Sequence, residues 1–200
     1  SVSLSAERVT LQWNVWALLS AKIDIRSLAI EQLAIEVHPG PADTDQSSTL
    51  SLPQLQLPLE LELQAVSIDQ LRLTRDERSF QFEQVELSAA MQASHMSIDA
   101  LSLRVVDFAI DAHHVYDFDI SLAGEIETRG NYPHQLSVDW QTRLSSGAVF
   151  SNSASIDGDL KSIRLMQQSS GPLQAQLALQ VQNPLERLAW QASLNVTSFD

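Results

Sequence analysis

Apolar and polar residues alternate through most of this chain. Leu55, Leu57, Leu59, Leu61 and Leu63 take every second position, with Gln56, Pro58, Glu60 and Glu62 between them. Val9, Leu11, Trp13 and Val15 repeat the pattern, as do Tyr116, Phe118, Ile120 and Leu122, and again Leu173, Ala175, Leu177, Leu179 and Val181. Successive side chains of a strand point to opposite sides of a sheet. A period of two therefore predicts strands with one apolar face and one wet face. The expected strands cover 2–15 (with a phase slip at Glu7-Arg8), 23–37, 55–65, 66–73, 79–87, 96–105, 108–112, 115–124, 136–143, 148–160, 163–168, 173–181 and 188–196. Such a succession of strands between closely spaced turn signals describes an all-β chain.

Two stretches break the alternation. Residues 13–22 (WNVWALLSAK) predict a short helical turn, with Trp16, Leu18 and Leu19 packed at the end of the sheet. Residues 38–51 (HPGPADTDQSSTLS), rich in Pro, Asp and Ser, predict a solvated, mobile loop. From 52 to 200 the strands are expected to run on continuously, so the whole of 1–200 reads as a single segment. A short module also recurs: Ile25…Leu28-Ala29-Ile30, Ile30…Leu33-Ala34-Ile35, Ile68…Leu71-Arg72-Leu73, Phe82…Val85-Glu86-Leu87 and Ile98…Leu101-Ser102-Leu103. Its two-residue step flips the inward phase once, which marks a bulge or a tight corner between strands sharing one apolar face.

Composition and charge narrow the function. With 12 basic and 25 acidic residues the formal net charge is -13, and no basic stripe could neutralise phosphates. Nucleic-acid binding is therefore not expected. The 200 residues include no cysteine, which removes disulfide and thiolate chemistry. No apolar stretch approaches the roughly 20 residues that span a bilayer, and no signal-peptide pattern opens the chain. The segment is expected to have been excised from something longer.

Catalytic chemistry is not legible either. His113 and His114, with Asp111 and Asp117 nearby, are adjacent in a strand-like run and would face opposite ways. A polar hairpin turn is the better reading than a metal site. Glu60 with Glu62, and Asp117 with Asp119, occupy wet positions of strands and solubilise rather than form an acid–base pair. No nucleophile elbow, phosphate loop, dinucleotide fingerprint or zinc motif is present, so no enzyme activity and no cofactor are expected. The tryptophans Trp13, Trp16, Trp140 and Trp190 are expected on apolar faces, as core or as groove lining.

Four stretches resemble one family. Residues 16–30 (WALLSAKIDIRSLAI), 57–73 (LPLELELQAVSIDQLRL), 121–140 (SLAGEIETRGNYPHQLSVDW) and 169–181 (SSGPLQAQLALQV) followed by NPLERLAW are similar, in order and spacing, to the early periplasmic part of the TamB family of the AsmA-like superfamily. That resemblance implies an elongated sheet curled into a taco-like trough with an apolar interior. It implies a periplasmic segment of a protein anchored in the inner membrane of a Gram-negative bacterium. It further implies carriage of phospholipid between the inner and outer membranes, and support of outer-membrane protein and autotransporter assembly. The partners would be phospholipid acyl chains and, through regions absent from this segment, an Omp85-type outer-membrane barrel.

Physical chemistry leads to the same expectation. A repeated apolar face with no opposing sheet is a liability in water, and acyl chains would cover it at about 0.8 kcal/mol per buried methylene. The expected groove lining is Leu57, Leu59, Leu61, Leu63, Ile68, Leu71, Leu73, Phe118, Ile120, Leu122, Val138, Trp140, Leu177 and Leu179. In a closed sandwich the same residues would be dry core. Alternatively the strand edges would serve as a scaffold, holding outer-membrane β-strands by β-augmentation. A β-solenoid fits poorly, because the spacing is uneven.

Overall fold

The computed structural model describes residues 2–37, 54–75, 78–111, 114–144, 147–185 and 188–199. Eleven strands follow one another: β1 (Val2–Asn14), β2 (Lys22–Val37), β3 (Glu60–Arg75), β4 (Arg78–Gln92), β5 (His95–Asp111), β6 (His114–Glu127), β7 (His134–Arg143), β8 (Val149–Gly158), β9 (Ser162–Ser170), β10 (Leu173–Gln182) and β11 (Ala189–Phe199). A 3-10 turn, Val15–Ser20, joins β1 to β2. All the strands belong to one sheet, in strict sequence order from β1 to β11. The sheet is curled and not closed into a barrel, with β1 and β11 as its outermost described strands.

Every neighbouring pair is antiparallel except β2 and β3, which run parallel. A parallel pair needs a connection that returns along the length of the strand. The last part of that connection, residues 54–59, passes the lower ends of the strands. The Leu55 amide donates to the Thr128 carbonyl (3.3 Å), the Leu57 amide to that of Ala93 (2.9 Å) and the Glu60 amide to that of Ala21 (3.0 Å). Thr128, only 4% exposed, places its hydroxyl 2.7 Å from the Leu55 carbonyl and 2.9 Å from that of Ser94. Gly130 donates its amide to Gln54 Oε1 at 2.6 Å. The loop expected over 38–51 lies outside the described residues.

Phase flips explain why sequence reading divides what the fold joins. The expected strands 55–65 and 66–73 are one strand from Glu60, whose pairing with β4 slips between Leu63 and Val66. Likewise 96–105 and 108–112 form a single β5, with a slip against β6 between Val105 and Phe108. At Glu7-Arg8, where a phase slip is expected, Arg8 has φ 42 and the β1–β2 pairing is interrupted between Glu7 and Val9, but the register is the same on both sides. Every copy of the recurring two-residue step lies inside a long strand, not at a corner between strands; the copies at Ile25, Phe82 and Ile98 carry a bulge, whereas those at Ile30 and Ile68 keep their register. Irregularities cluster at similar heights in β2 to β5, as at Arg26, Gln64-Ala65 and Asp99. Bulges bend a strand and strengthen its twist, which curls these walls of 15 to 17 residues. The shorter β7 to β9 pair without a slip.

Close backbone approach fixes two positions. A Cβ on Gly124 (φ 145) would collide with the Gln135 carbonyl, and one on Gly158 (φ 137) with that of Ser162. Beyond Gly158, the Asp159 carboxylate accepts the amides of Lys161 (2.8 Å) and Ser162 (3.0 Å), which hold it below the usual carboxylate range.

Among the described residues no second layer covers this sheet. Substantial contacts join each element only to its neighbours in sequence. No described large side chain is fully buried, and the buried apolar set is Val66, Val85, Ala89, Val105, Ala154 and Ala175. The accessible area is 13705 Å², against about 9300 Å² for a compact protein of this mass. A closed sandwich is therefore not the architecture.

Candidate functional site

Cross-strand pairing sorts the side chains into rows that cross the whole sheet. One row runs through Leu11, Leu28, Val66, Leu87, Leu101, Leu122, Val138, Ala154, Gln167, Leu177 and Leu194. The adjacent row points the other way: Thr10, Ala29, Ser67, Glu86, Ser102, Ser121, Asp139, Ser153, Gln168, Gln176 and Asn195. Neighbouring residues of each strand thus supply one oily and one wet row. Because no element packs over the first, the apolar face stays open.

An apolar hollow of about 450 Å³ is lined by Phe80, Phe82, Val105, Phe108, Phe118, Ile120, Val138 and Trp140. Register sets this cluster: Phe82 stands opposite Val105, Val105 opposite Phe118, and Ile120 opposite Trp140. Phe80 and Phe108 stack with centroids 6.4 Å apart, and Phe108 meets Phe118 edge-on at 5.7 Å. Such geometries suit the ring quadrupoles and stiffen the wall. The lining offers almost no polar group, so what it can hold is hydrocarbon.

The wet face also carries a hollow, about 710 Å³, along Ser67, Glu86, Ser102, Arg104, Asp119, Ser121 and Asp139. Its cation is already engaged, since Arg104 donates from Nε to Asp119 at 2.7 Å. That carboxylate raises the Arg104 pKa further. The remaining carboxylates keep this side acidic and hydrated, which is unsuitable for a fatty chain.

Most expected lining residues lie on the apolar face: Leu61, Leu63, Ile68, Leu71 and Leu73 on β3, Phe118, Ile120 and Leu122 on β6, Val138 and Trp140 on β7, and Leu177 and Leu179 on β10. The hollow brings together Phe118, Ile120, Val138 and Trp140, while the others extend the face on either side. Leu57 and Leu59 precede β3, on the connection along the strand ends, despite their regular alternation.

Sequence reading missed Phe80, Phe82, Val105 and Phe108, although Phe80 and Phe82 alternate like the rest. It also missed a polar break in the apolar face at β8 and β9, where Asn152 lies opposite Trp140 and Ser169. There Ser169 Oγ lies 2.7 Å from Asn152 Oδ1, and Gln167 Nε2 reaches Ser169 Oγ at 3.2 Å. The tryptophans also diverge. Trp140 is half-buried, Trp13 and Trp190 are exposed on the edge strands, and Trp16 and Leu19 project into solvent rather than packing at the sheet end.

Among the described residues no group of three His, Cys, Asp or Glu side chains could hold a metal. No described helix is long and apolar enough to cross a membrane. A family model described as TamB, N-terminal domain, matches residues 1–113 and 41–200, two overlapping stretches that together span the chain. Neither a curated protein nor a solved structure matches.

Proposed function

The chain belongs to the TamB family, and on that premise we propose that it is one stretch of a bridge carrying phospholipid between the inner and outer membranes through its apolar trough. The segment would stand in the periplasm of a Gram-negative bacterium, within a protein anchored in the inner membrane. The work is binding and conduction rather than covalent chemistry. Acyl chains would lie along the oily rows with headgroups at the open rim, and the acidic wet face would keep the wall in water. One observation carries this reading: an apolar face crosses the sheet, broken by polar side chains at β8 and β9, and no described element lies over it. At about 0.8 kcal/mol per methylene, covering a sixteen-carbon chain offers on the order of 10 kcal/mol before the entropy of association. A bilayer offers a similar gain per methylene, so exchange between bilayer and trough is near balance and the lipid can be released.

The test is a photo-crosslinking amino acid at Ile120, compared with one at Asp119, in the full-length protein in cells. The Ile120 probe is expected to capture phospholipid at least about tenfold more than its neighbour on the wet face. Equal capture on both faces would sink the reading.

A second role is that of a scaffold. An outer strand of such a sheet, which within this segment is β1 or β11, could accept an incoming outer-membrane strand by β-augmentation. Support of outer-membrane protein and autotransporter assembly, with an Omp85-type barrel docked elsewhere on the protein, would follow from that role. Added strand peptide should then slow amide exchange in β1 or β11, an effect that phospholipid alone would not produce.

A further inference from the structure

The 3-10 turn between β1 and β2 has a form that a trough wall does not require. Val15, Trp16, Leu18 and Leu19 are 54%, 79%, 42% and 83% exposed, and Trp13 beside them 44%. No described residue covers them. From Val9 to Ala21 the chain carries no ionisable side chain, although its net charge is -13. The root of the turn is polar and fixed. Ala21 closes it in the left-handed conformation (φ 56) and accepts the Glu60 amide at 3.0 Å. Lys22 pairs with Glu60 at 3.3 Å and also with Glu62. Asp24, 8% exposed, accepts from Asn14 (3.1 Å) and Gln64 (2.9 Å). The result is a convex apolar knob on a collar of charged and amide groups.

We infer that this knob docks the trough rim between β1 and β2 onto a lipid bilayer, with Trp16 and Leu19 seated at the level of the headgroups and upper acyl chains. Three observations favour a bilayer over another protein. Indole rings prefer that boundary, where one side is apolar and the other wet. The collar gives the insertion a defined depth, because Lys22, Glu60 and Glu62 stay hydrated while the crown leaves water. Trp13 also begins a row that continues through Ile25, Leu63, Ala89, Ile98 and, by way of Gly124, Leu136. An oily path thus leads from the crown into the trough, giving an acyl chain a way in without crossing water. The use made of the docking rests on the lipid-conducting reading; the docking itself does not.

The test uses the full chain with phosphatidylcholine vesicles. The wild type is expected to float with them, and brominated phosphatidylcholine to quench Trp16 in a variant carrying Trp13→Phe, Trp140→Phe and Trp190→Phe. Trp16→Glu with Leu19→Glu is expected to lower the floated fraction roughly tenfold or more, with an unchanged circular dichroism spectrum. Unquenched Trp16, or flotation unaffected by the two glutamates, overturns the inference. So does a wild-type chain that self-associates through the knob and ignores vesicles. Lipid capture by the Ile120 probe separates the two ideas. Capture without flotation leaves the trough and removes the docking, and flotation without capture does the reverse.

Discussion

Gln84 occupies the left-handed region, at φ 51, in the middle of β4. An L side chain pays roughly 1–2 kcal/mol for that conformation, yet the position sets the phase: Val85 faces Ile68 and Phe82 faces Leu71 across β3 in unbroken register, while against β5 the strand carries one extra residue between Glu83 and Glu86. Without the bulge, alternation would send either the phenylalanines or Val85 to the wet side. The side chain at 84 therefore matters less than its backbone. Gln84→Gly is expected to leave stability unchanged or to raise it by up to about 1 kcal/mol. Gln84→Val should cost about 1–2 kcal/mol, since branching at Cβ is poorly tolerated there. Urea unfolding of the two variants checks both signs. Equal destabilisation by both would mean that the Gln84 side chain, not its backbone, holds the bulge.

Among the elements, the stretch 54–59 is held by few bonds, and Thr128 supplies the most deeply placed of them. Thr128→Val keeps the shape and removes the hydroxyl. Protection of the Leu55 and Leu57 amides should fall, with a loss of about 1–2 kcal/mol, the range for a buried carbonyl losing its partner. Amide exchange reads this directly. Such a tie was not legible in the sequence, because nothing local marks Thr128 as different from any other strand-end threonine. The strands were more transparent. β6, β7 and β10 follow from alternation alone, whereas β3 and β5 look divided because a bulge imitates a turn. The turn at Ala93-Ser94 has no glycine or proline, only Ala93 at φ 54, so composition does not announce it. Leu57 and Leu59 alternate as well as any strand, but the parallel crossover claims them. Asn152, Gln167 and Ser169 were missed because β8 and β9 are polar on both faces, and only the ladder reveals which way they point.

For the whole molecule, the open face has a calorimetric signature. Unfolding raises heat capacity by exposing apolar surface, typically about 2.4–3.0 kcal/mol/K for 200 residues. Much of the oily surface here is wet before unfolding begins, so the measured value is expected below that range. A value inside it would mean that the face is covered in solution. Phospholipid that binds only the folded wall should raise Tm by mass action, and the increment should grow with lipid concentration.

Strand touches strand only in the order in which they are made, and that gives the wall an adjustable gauge. Each hairpin adds two spacings, about 10 Å of span, without asking any distant residue to change. Length could thus be gained or lost by copying or deleting pairs, as planks are added to a boardwalk, while the cross-section stays the same. A compact core permits no such editing, because every insertion there must be reconciled with all its neighbours at once.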